Sequence, residues 1–143
     1  MLFIKIILGE IICHKTAEAL IAQRLTNKEP NYIMFLREYY LSNNSIQTTI
    51  IDARNYGCAS RFINHSCEPN LCVIPVRVNN NIPYAALFSL RNIISGEELS
   101  YDYNGSIDSE LMDNEIKSEN TISNYVCYCN AEKCRGSLPI NTY

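Results

Sequence analysis

Residues 61–70 read Arg-Phe-Ile-Asn-His-Ser-Cys-Glu-Pro-Asn. This run sets an amide, an imidazole, a hydroxyl, a thiol and a carboxylate side by side. A plain core strand has no use for that mixture, whereas a site that holds a small polar ligand or a metal ion does. Gly-Glu-Glu-Leu-Ser-Tyr-Asp-Tyr follows at 96–103 and sets Tyr101 and Tyr103 just after a glycine turn. Farther on, Cys127, Cys129 and Cys134 have the close spacing of thiolate ligands. Three thiolates leave the tetrahedral shell of structural zinc one ligand short. The tyrosines offer a different chemistry, since their rings can wall an apolar channel while their hydroxyls position an amine. Taken singly, Tyr101 and Tyr103 are ordinary strand aromatics, one buried and one exposed, and His65 is a hydrogen-bonded structural histidine. The ten-residue run as a whole selects against those bland readings.

These residues must be carried by local elements. Leu2–Leu8 reads as a strand, and Gly9-Glu10 leads to a second short one at Ile11-Ile12. Thr16–Leu25 reads as a helix with Thr16 as its N-cap and Ala17, Leu20, Ile21 and Leu25 on one face. Pro30 marks a turn before Tyr32–Leu41, an aromatic-rich strand. Ser42-Asn43-Asn44-Ser45 turns the chain into a β-branched strand at Thr48–Ala53. A short helix is predicted over Tyr56–Ile63. Leu71–Val78 and Tyr84–Leu90 read as strands of a hairpin joined through Asn79-Asn80-Asn81. Ile93–Tyr103 contains the Gly96 turn and a further strand. Ser106–Asn124 is polar and reads as a flexible linker or lid. Many short strands and one helix predict a compact, mostly β fold of several small sheets.

The bulk properties narrow the class. A length of 143 residues suits one domain with one core. A net charge of −3 argues against a dedicated nucleic-acid surface and suits a basic partner. No apolar run is long enough to span a bilayer. The apolar start lacks the basic flank and small-residue cleavage site of a secretory signal, so it reads as a strand. Seven cysteines cannot all pair with one another, which disfavours a secreted disulfide domain and favours a reducing compartment with one metal site. Cys13, Cys58 and Cys72 read as small core residues.

In this order the three motifs resemble the SET domain, the catalytic fold of most protein lysine methyltransferases. The resemblance is strongest to the heterochromatin-type histone H3 enzymes and their relative fused to a mariner-type transposase. It is carried by Asn31-Tyr32-Ile33, Arg37-Glu38, His65 to Asn70, Ile74 to Val78, Ala86-Leu87-Phe88 and Glu97 to Tyr103. It implies a SET-domain fold with a knot-like site over residues 1–104, a linker over 105–125 and a post-SET tail over 126–143. The implied activity is transfer of a methyl group from S-adenosylmethionine to a lysine of the histone H3 tail. Tyr103 matches the family's catalytic hydroxyl. Tyr101 holds the position where Tyr is associated with adding fewer methyl groups, so mono- or dimethylation is expected. Tyr32 matches a tyrosine lining the lysine or cofactor pocket. Asn64 and His65 match the pair that binds the methionine and adenine parts of the cofactor. Arg61 and Phe62 stand beside them, Arg61 as a structural or cofactor-proximal cation and Phe62 mainly as core packing. Asp52 matches a structural aspartate.

The resemblance also completes the zinc shell. Cys67 supplies the fourth ligand beside Cys127, Cys129 and Cys134, and folding the tail over the strands finishes the lysine channel. A monomer acting in the nucleus on the chromosome is implied, with no sequence-specific nucleic-acid or membrane binding.

One departure bears on activity. A full SET domain opens with a strand and a Gly-x-Gly turn that cradles the cofactor, whereas this sequence starts inside the second strand. No cysteine-rich pre-SET cluster is present. The expectation is a truncated sequence with weakened cofactor binding. The competing expectation is an inactive SET relic, a zinc-stabilised binding module, and saturable cofactor binding discriminates the two.

Overall fold

A computed structural model of the chain describes residues 2–104 and 125–139. The expected linker, apart from Tyr125, and the last four residues lie outside the described residues. Among the described residues, eight strands form two small sheets, accompanied by one α-helix. The first sheet is built from β1 (Phe3–Ile7), β5 (Asn64–His65), β6 (Leu71–Val76), β7 (Tyr84–Ser89) and β8 (Ser100–Tyr101), in the order β1-β7-β6-β8-β5. The second contains β2 (Glu10–Ile12), β3 (Ile33–Tyr40) and β4 (Ser45–Asp52), in the order β2-β4-β3.

β3 and β4 form a hairpin in register from Ile33 opposite Asp52 to Tyr40 opposite Ser45. Asn44 turns it with φ of 52°, a conformation that asparagine tolerates well. Successive side chains go to opposite faces. Ile33, Phe35 and Ile50 therefore pack with Ala17 and Ile21 of α1 (His14–Asn27), while Leu36 and Ile51 join Ile7, Leu71, Val73, Ala85 and Leu87 of the larger sheet. Burial on both faces explains the unbroken apolar pair Ile50-Ile51. Gly9 lets this stack close: a Cβ there would lie 2.5 Å from Ile51 Cγ2 and 2.7 Å from the Asp52 carbonyl oxygen.

The helix corrects the sequence reading at three points. It starts at His14, with Cys13 rather than Thr16 at its N-cap. The Thr16 hydroxyl meets the Cys13 sulfur at 3.2 Å. Leu25 is exposed, and Arg24 takes the inward position. The reason is Asp52, whose two carboxylate oxygens accept from Arg24 Nη1 and Nη2 at 3.2 and 2.7 Å in a nearly fully buried pair. Apolar spacing cannot register a charged residue whose partner lies in another element.

Pro75 stands within β6, which has neighbours on both sides. Among the described residues β8 pairs with β6 only at Leu71, so beyond it β6 has an edge that tolerates a missing N–H. The predicted helix over 56–63 shrinks to a 3-10 turn at Ala59–Phe62. Cys72 is buried as expected, but Cys13 is exposed and Cys58 only half-buried, its sulfur bonded to the Ile6 carbonyl.

Candidate active site and cysteine cluster

The site forms where β8 inserts between β5 and β6. β5 pairs with β8 in parallel, Asn64 opposite Ser100 and His65 opposite Tyr101. β6 resumes on the other flank of β8, also in parallel. Residues 66–70 therefore cross over β8, and this crossing carries Cys67. The Ser66 N–H bonds to the Tyr101 carbonyl at 3.2 Å and holds the crossing down.

Asn70 anchors its far end. This side chain is 3% exposed. Its Nδ2 donates to Glu97 Oε1 and to the Glu98 carbonyl, both at 2.8 Å, and its Oδ1 accepts the Ser100 N–H at 2.9 Å. Gly96 begins this turn at φ of 87°, where side chains are strained. Asn70 stood inside the run that the sequence singled out, yet no role was read for it. A polar residue between a proline and an apolar strand was the available signal.

His65 sits beneath Tyr103. Its Nδ1 accepts the Tyr103 backbone N–H at 3.1 Å. In the neutral ring the proton therefore resides on Nε2, 3.4 Å from Cys67 Sγ. Burial pushes the imidazole below its ordinary pKa; Asp102 opposes that and Arg135 adds to it. Both ring nitrogens are engaged, so the histidine side chain serves as an internal strut.

Tyr101, Tyr103 and His65 lie together. The rings of Tyr101 and Tyr103 lie 4.9 Å apart, and those of His65 and Tyr103 lie 5.2 Å apart. The Tyr103 hydroxyl donates to the Ile63 carbonyl at 2.8 Å. Burial raises the pKa of Tyr103, and Tyr32 adds to the shift. Burial likewise raises Tyr101 strongly, with Tyr103 second. The hydroxyls of Tyr101 and Tyr103 thus stay protonated at neutral pH. Both tyrosines are half-buried: side chains two apart in extended chain share a face, so the reading of one buried and one exposed does not hold.

Tyr32 stands one residue before β3, edge-on to Phe62 at 6.0 Å. The Arg61 guanidinium lies 4.6 Å from the Phe62 ring centroid and 5.5 Å from that of Tyr32. Its Nη1 also caps the Ala53 and Arg54 carbonyls at 2.9 and 2.7 Å. Arg61 is thus a brace for the Tyr32 wall. Phe62, expected in the core, is 59% exposed. Asn64 is exposed, its Nδ2 donating to Glu98 Oε1 at 2.7 Å.

The C-terminal segment closes the site. The bridge between Val126 and Ser137, with the Cys127 N–H to the Gly136 carbonyl at 3.1 Å, folds 125–139 into a closed loop. Its cysteines meet Cys67: the sulfurs of Cys67, Cys127, Cys129 and Cys134 all lie within 4.8 Å of one another. Burial pushes the Cys127 thiol up to about 12. Backbone N–H groups of Cys67 and Ala131 hold Cys129 down to about 6. Thiolates about 2.3 Å from a tetrahedral ion stand about 3.8 Å apart, and Cys67 to Cys127 measures 3.9 Å. This donor set fits zinc.

Between loop and crossing lies a groove of about 520 Å³. Its lining includes Asn64, His65, Ser100 and Tyr103, the carboxylates of Glu68, Glu97 and Glu98, and Val126, Tyr128 and Leu138. Polar and charged groups beside apolar surface suit a ligand with a charged end and a flat ring, as S-adenosylmethionine has.

A β fold in which the segment after an Asn-His pair crosses over β8, with a Tyr-Asp-Tyr run and four gathered thiols beside it, defines a class. The chain belongs to the SET domain family, whose profile matches residues 4–104. It is 37% identical to the histone-lysine N-methyltransferase SETMAR of Rattus norvegicus, over 94% of this chain and 45% of that relative. The chain thus spans about half the length of this curated relative. The crystal structure of the methyltransferase domain of human SETMAR superposes with a TM-score of 0.74 at 32% identity, covering 96% of this chain and 49% of that one. The structure of Arabidopsis thaliana SUVH6 in complex with SAM superposes at 0.67 with 30% identity, covering 96% of this chain and 28% of that one. The resemblance drawn from the motifs, and the mostly β fold it implied, are borne out.

Proposed function

We propose that the chain is the catalytic part of a protein-lysine N-methyltransferase that uses S-adenosylmethionine, holds zinc and acts on the histone H3 tail, on chromatin in the nucleus. The observation that carries this reading is the convergence of Tyr101, Tyr103 and His65 beside the groove that the cysteine loop closes. On this reading residues 1–104 form the SET domain, 105–125 the linker and 126–143 the post-SET tail.

S-adenosylmethionine, when bound, supplies a methyl on a positive sulfur, an electrophile that needs no further activation. Asn64 and the His65 backbone hold the cofactor, with Arg61 and Phe62 bracing the neighbouring wall and Tyr128 and Leu138 covering it. The chain's remaining task is to present lysine as a neutral amine, although its ordinary pKa is about 10.4. An apolar aromatic channel favours the neutral form. The raised pKa values of Tyr101 and Tyr103 keep both hydroxyls uncharged, so neither stabilises the ammonium by ion pairing. Their oxygens accept hydrogen bonds from the amine and aim its lone pair. Tyr103 acts as the central hydroxyl, with its orientation set by Ile63 and His65. Cys67, Cys127, Cys129 and Cys134 hold zinc, which has a structural role that keeps the loop folded over the groove.

The test is methyl transfer by the zinc-loaded chain from S-adenosylmethionine to a histone H3 peptide, beside calorimetric titration of the cofactor. Tyr103→Phe is expected to keep cofactor affinity and lose about a hundredfold or more in turnover. A folded, zinc-loaded wild type with no saturable cofactor binding would refute the reading and leave a binding module.

A further inference from the structure

We propose that Arg135 is a positioning residue that fastens the cysteine loop to the segment carrying Tyr101 and Tyr103, so that order in the loop sets the geometry of Tyr103. The inference deepens the reading above and rests on it for its functional meaning.

Arg135 follows Cys134 and faces two ways. Its backbone N–H donates to Cys67 Sγ at 3.4 Å. Its side chain leaves the loop, and Nη2 donates to Asp102 Oδ1 at 2.8 Å. The same Nη2 lies 3.4 Å from His65 Nε2. Asp102 sits between the two tyrosines in sequence, and its Oδ1 also accepts the Asn104 N–H at 3.0 Å and lies 3.6 Å from His65 Nδ1. The circuit closes through the Tyr103 N–H bonded to His65 Nδ1. One guanidinium thus touches the carboxylate that turns the chain after Tyr101 and the imidazole that holds the Tyr103 backbone. Glu132 also ties the loop to the body, but its N–H reaches only Glu68 on the crossing and not β8. Arg135 suits this place because its guanidinium pairs with the Asp102 carboxylate through Nη2 while its own backbone N–H holds Cys67 Sγ.

The test uses the full zinc-loaded chain and reads amide hydrogen exchange at Tyr103 by NMR, with metal content measured alongside. Arg135→Ala is expected to retain one zinc ion per chain and to speed Tyr103 exchange about tenfold or more. Arg135→Lys should recover part of the protection. Asp102→Asn should reproduce the alanine effect, and the double variant should be no worse than either single one, because both remove one link. Unchanged Tyr103 exchange in the two single variants, or simple addition in the double, overturns the proposal. Should Arg135→Ala shed the metal, Asp102→Asn decides alone, since Asp102 Oδ1 bonds to Arg135 and Asn104 and not to the thiols. The readout needs neither cofactor nor peptide. A chain that transfers no methyl but shows coupled loss of protection keeps the link and refutes only the activity.

Discussion

Replacing Asn70 tests whether the crossing over β8 depends on one buried amide. Its side chain makes three hydrogen bonds, two donated and one accepted, at 2.8 to 2.9 Å. Asn70→Ala deletes all three and leaves the Ser100 N–H and Glu98 carbonyl facing a small void. At about 1 kcal/mol for each bond, with a further cost for stranded buried groups, the loss is about 3–4 kcal/mol. Asn70→Asp is nearly isosteric and keeps the acceptor for Ser100. It also turns an oxygen toward the Glu97 carboxylate and the Glu98 carbonyl, which replaces two attractions by two repulsions. The aspartate variant is therefore expected to be less stable than the alanine variant at neutral pH, despite its better shape. Urea denaturation of the zinc-loaded chain measures both values. A cost below about 1 kcal/mol for alanine, or aspartate more stable than alanine, would refute the reasoning. Because Ser100 precedes Tyr101, the same variants are expected to weaken cofactor binding in step with stability.

Four further outcomes follow from the geometry. Cys67→Ser should lower zinc affinity by roughly two orders of magnitude or more, read by competition with a chromophoric chelator; equal affinity would mean that the crossing gives no ligand. Asp52→Ala strands the buried charge of Arg24 and should cost about 3–5 kcal/mol in urea unfolding. Glu97 is held down to about 2 by its hydrogen bonds to Arg91 and Asn70. A depressed folded-state pKa gives stability that is present above the ordinary value of 4.5 and lost as pH falls toward 2, so carboxyl NMR titration should find its midpoint far below 4.5 and Arg91→Ala should raise it. Tyr101→Phe should shift the product toward higher methylation by mass spectrometry, and trimethyllysine as the main product of the wild type would contradict the role given to that hydroxyl.

The strands and the site motifs were legible because their signals are local. Alternation and β-branching marked β3, β4, β6 and β7 to within a few residues. The Gly-Glu-Glu-Leu-Ser turn and the Cys-x-Cys spacing stand out in single short windows. Errors fell where a distant partner decides. Leu25 was assigned to the inward face because it is apolar, yet Arg24 occupies that place through Asp52, 28 residues away. Phe62 was read as core, yet it lies exposed beside the Arg61 guanidinium. Thr16 looked like a cap because its type suits one, while the helix had already begun at His14.

By itself, the order of residues determined which chemistry the chain can support: an Asn-His run, paired tyrosines and thiols at ligand spacing are properties of type and spacing alone. Only the tertiary structure decided how they act together. It carried the Cys67 crossing over β8 to meet thiols 60 residues away, made Asn70 a clasp and brought Arg135 to Asp102. Each of those contacts depends on the relative placement of elements that no local window contains. Their strength comes from burial and from the pairing of polar groups removed from water, which exist only once the sheets have packed.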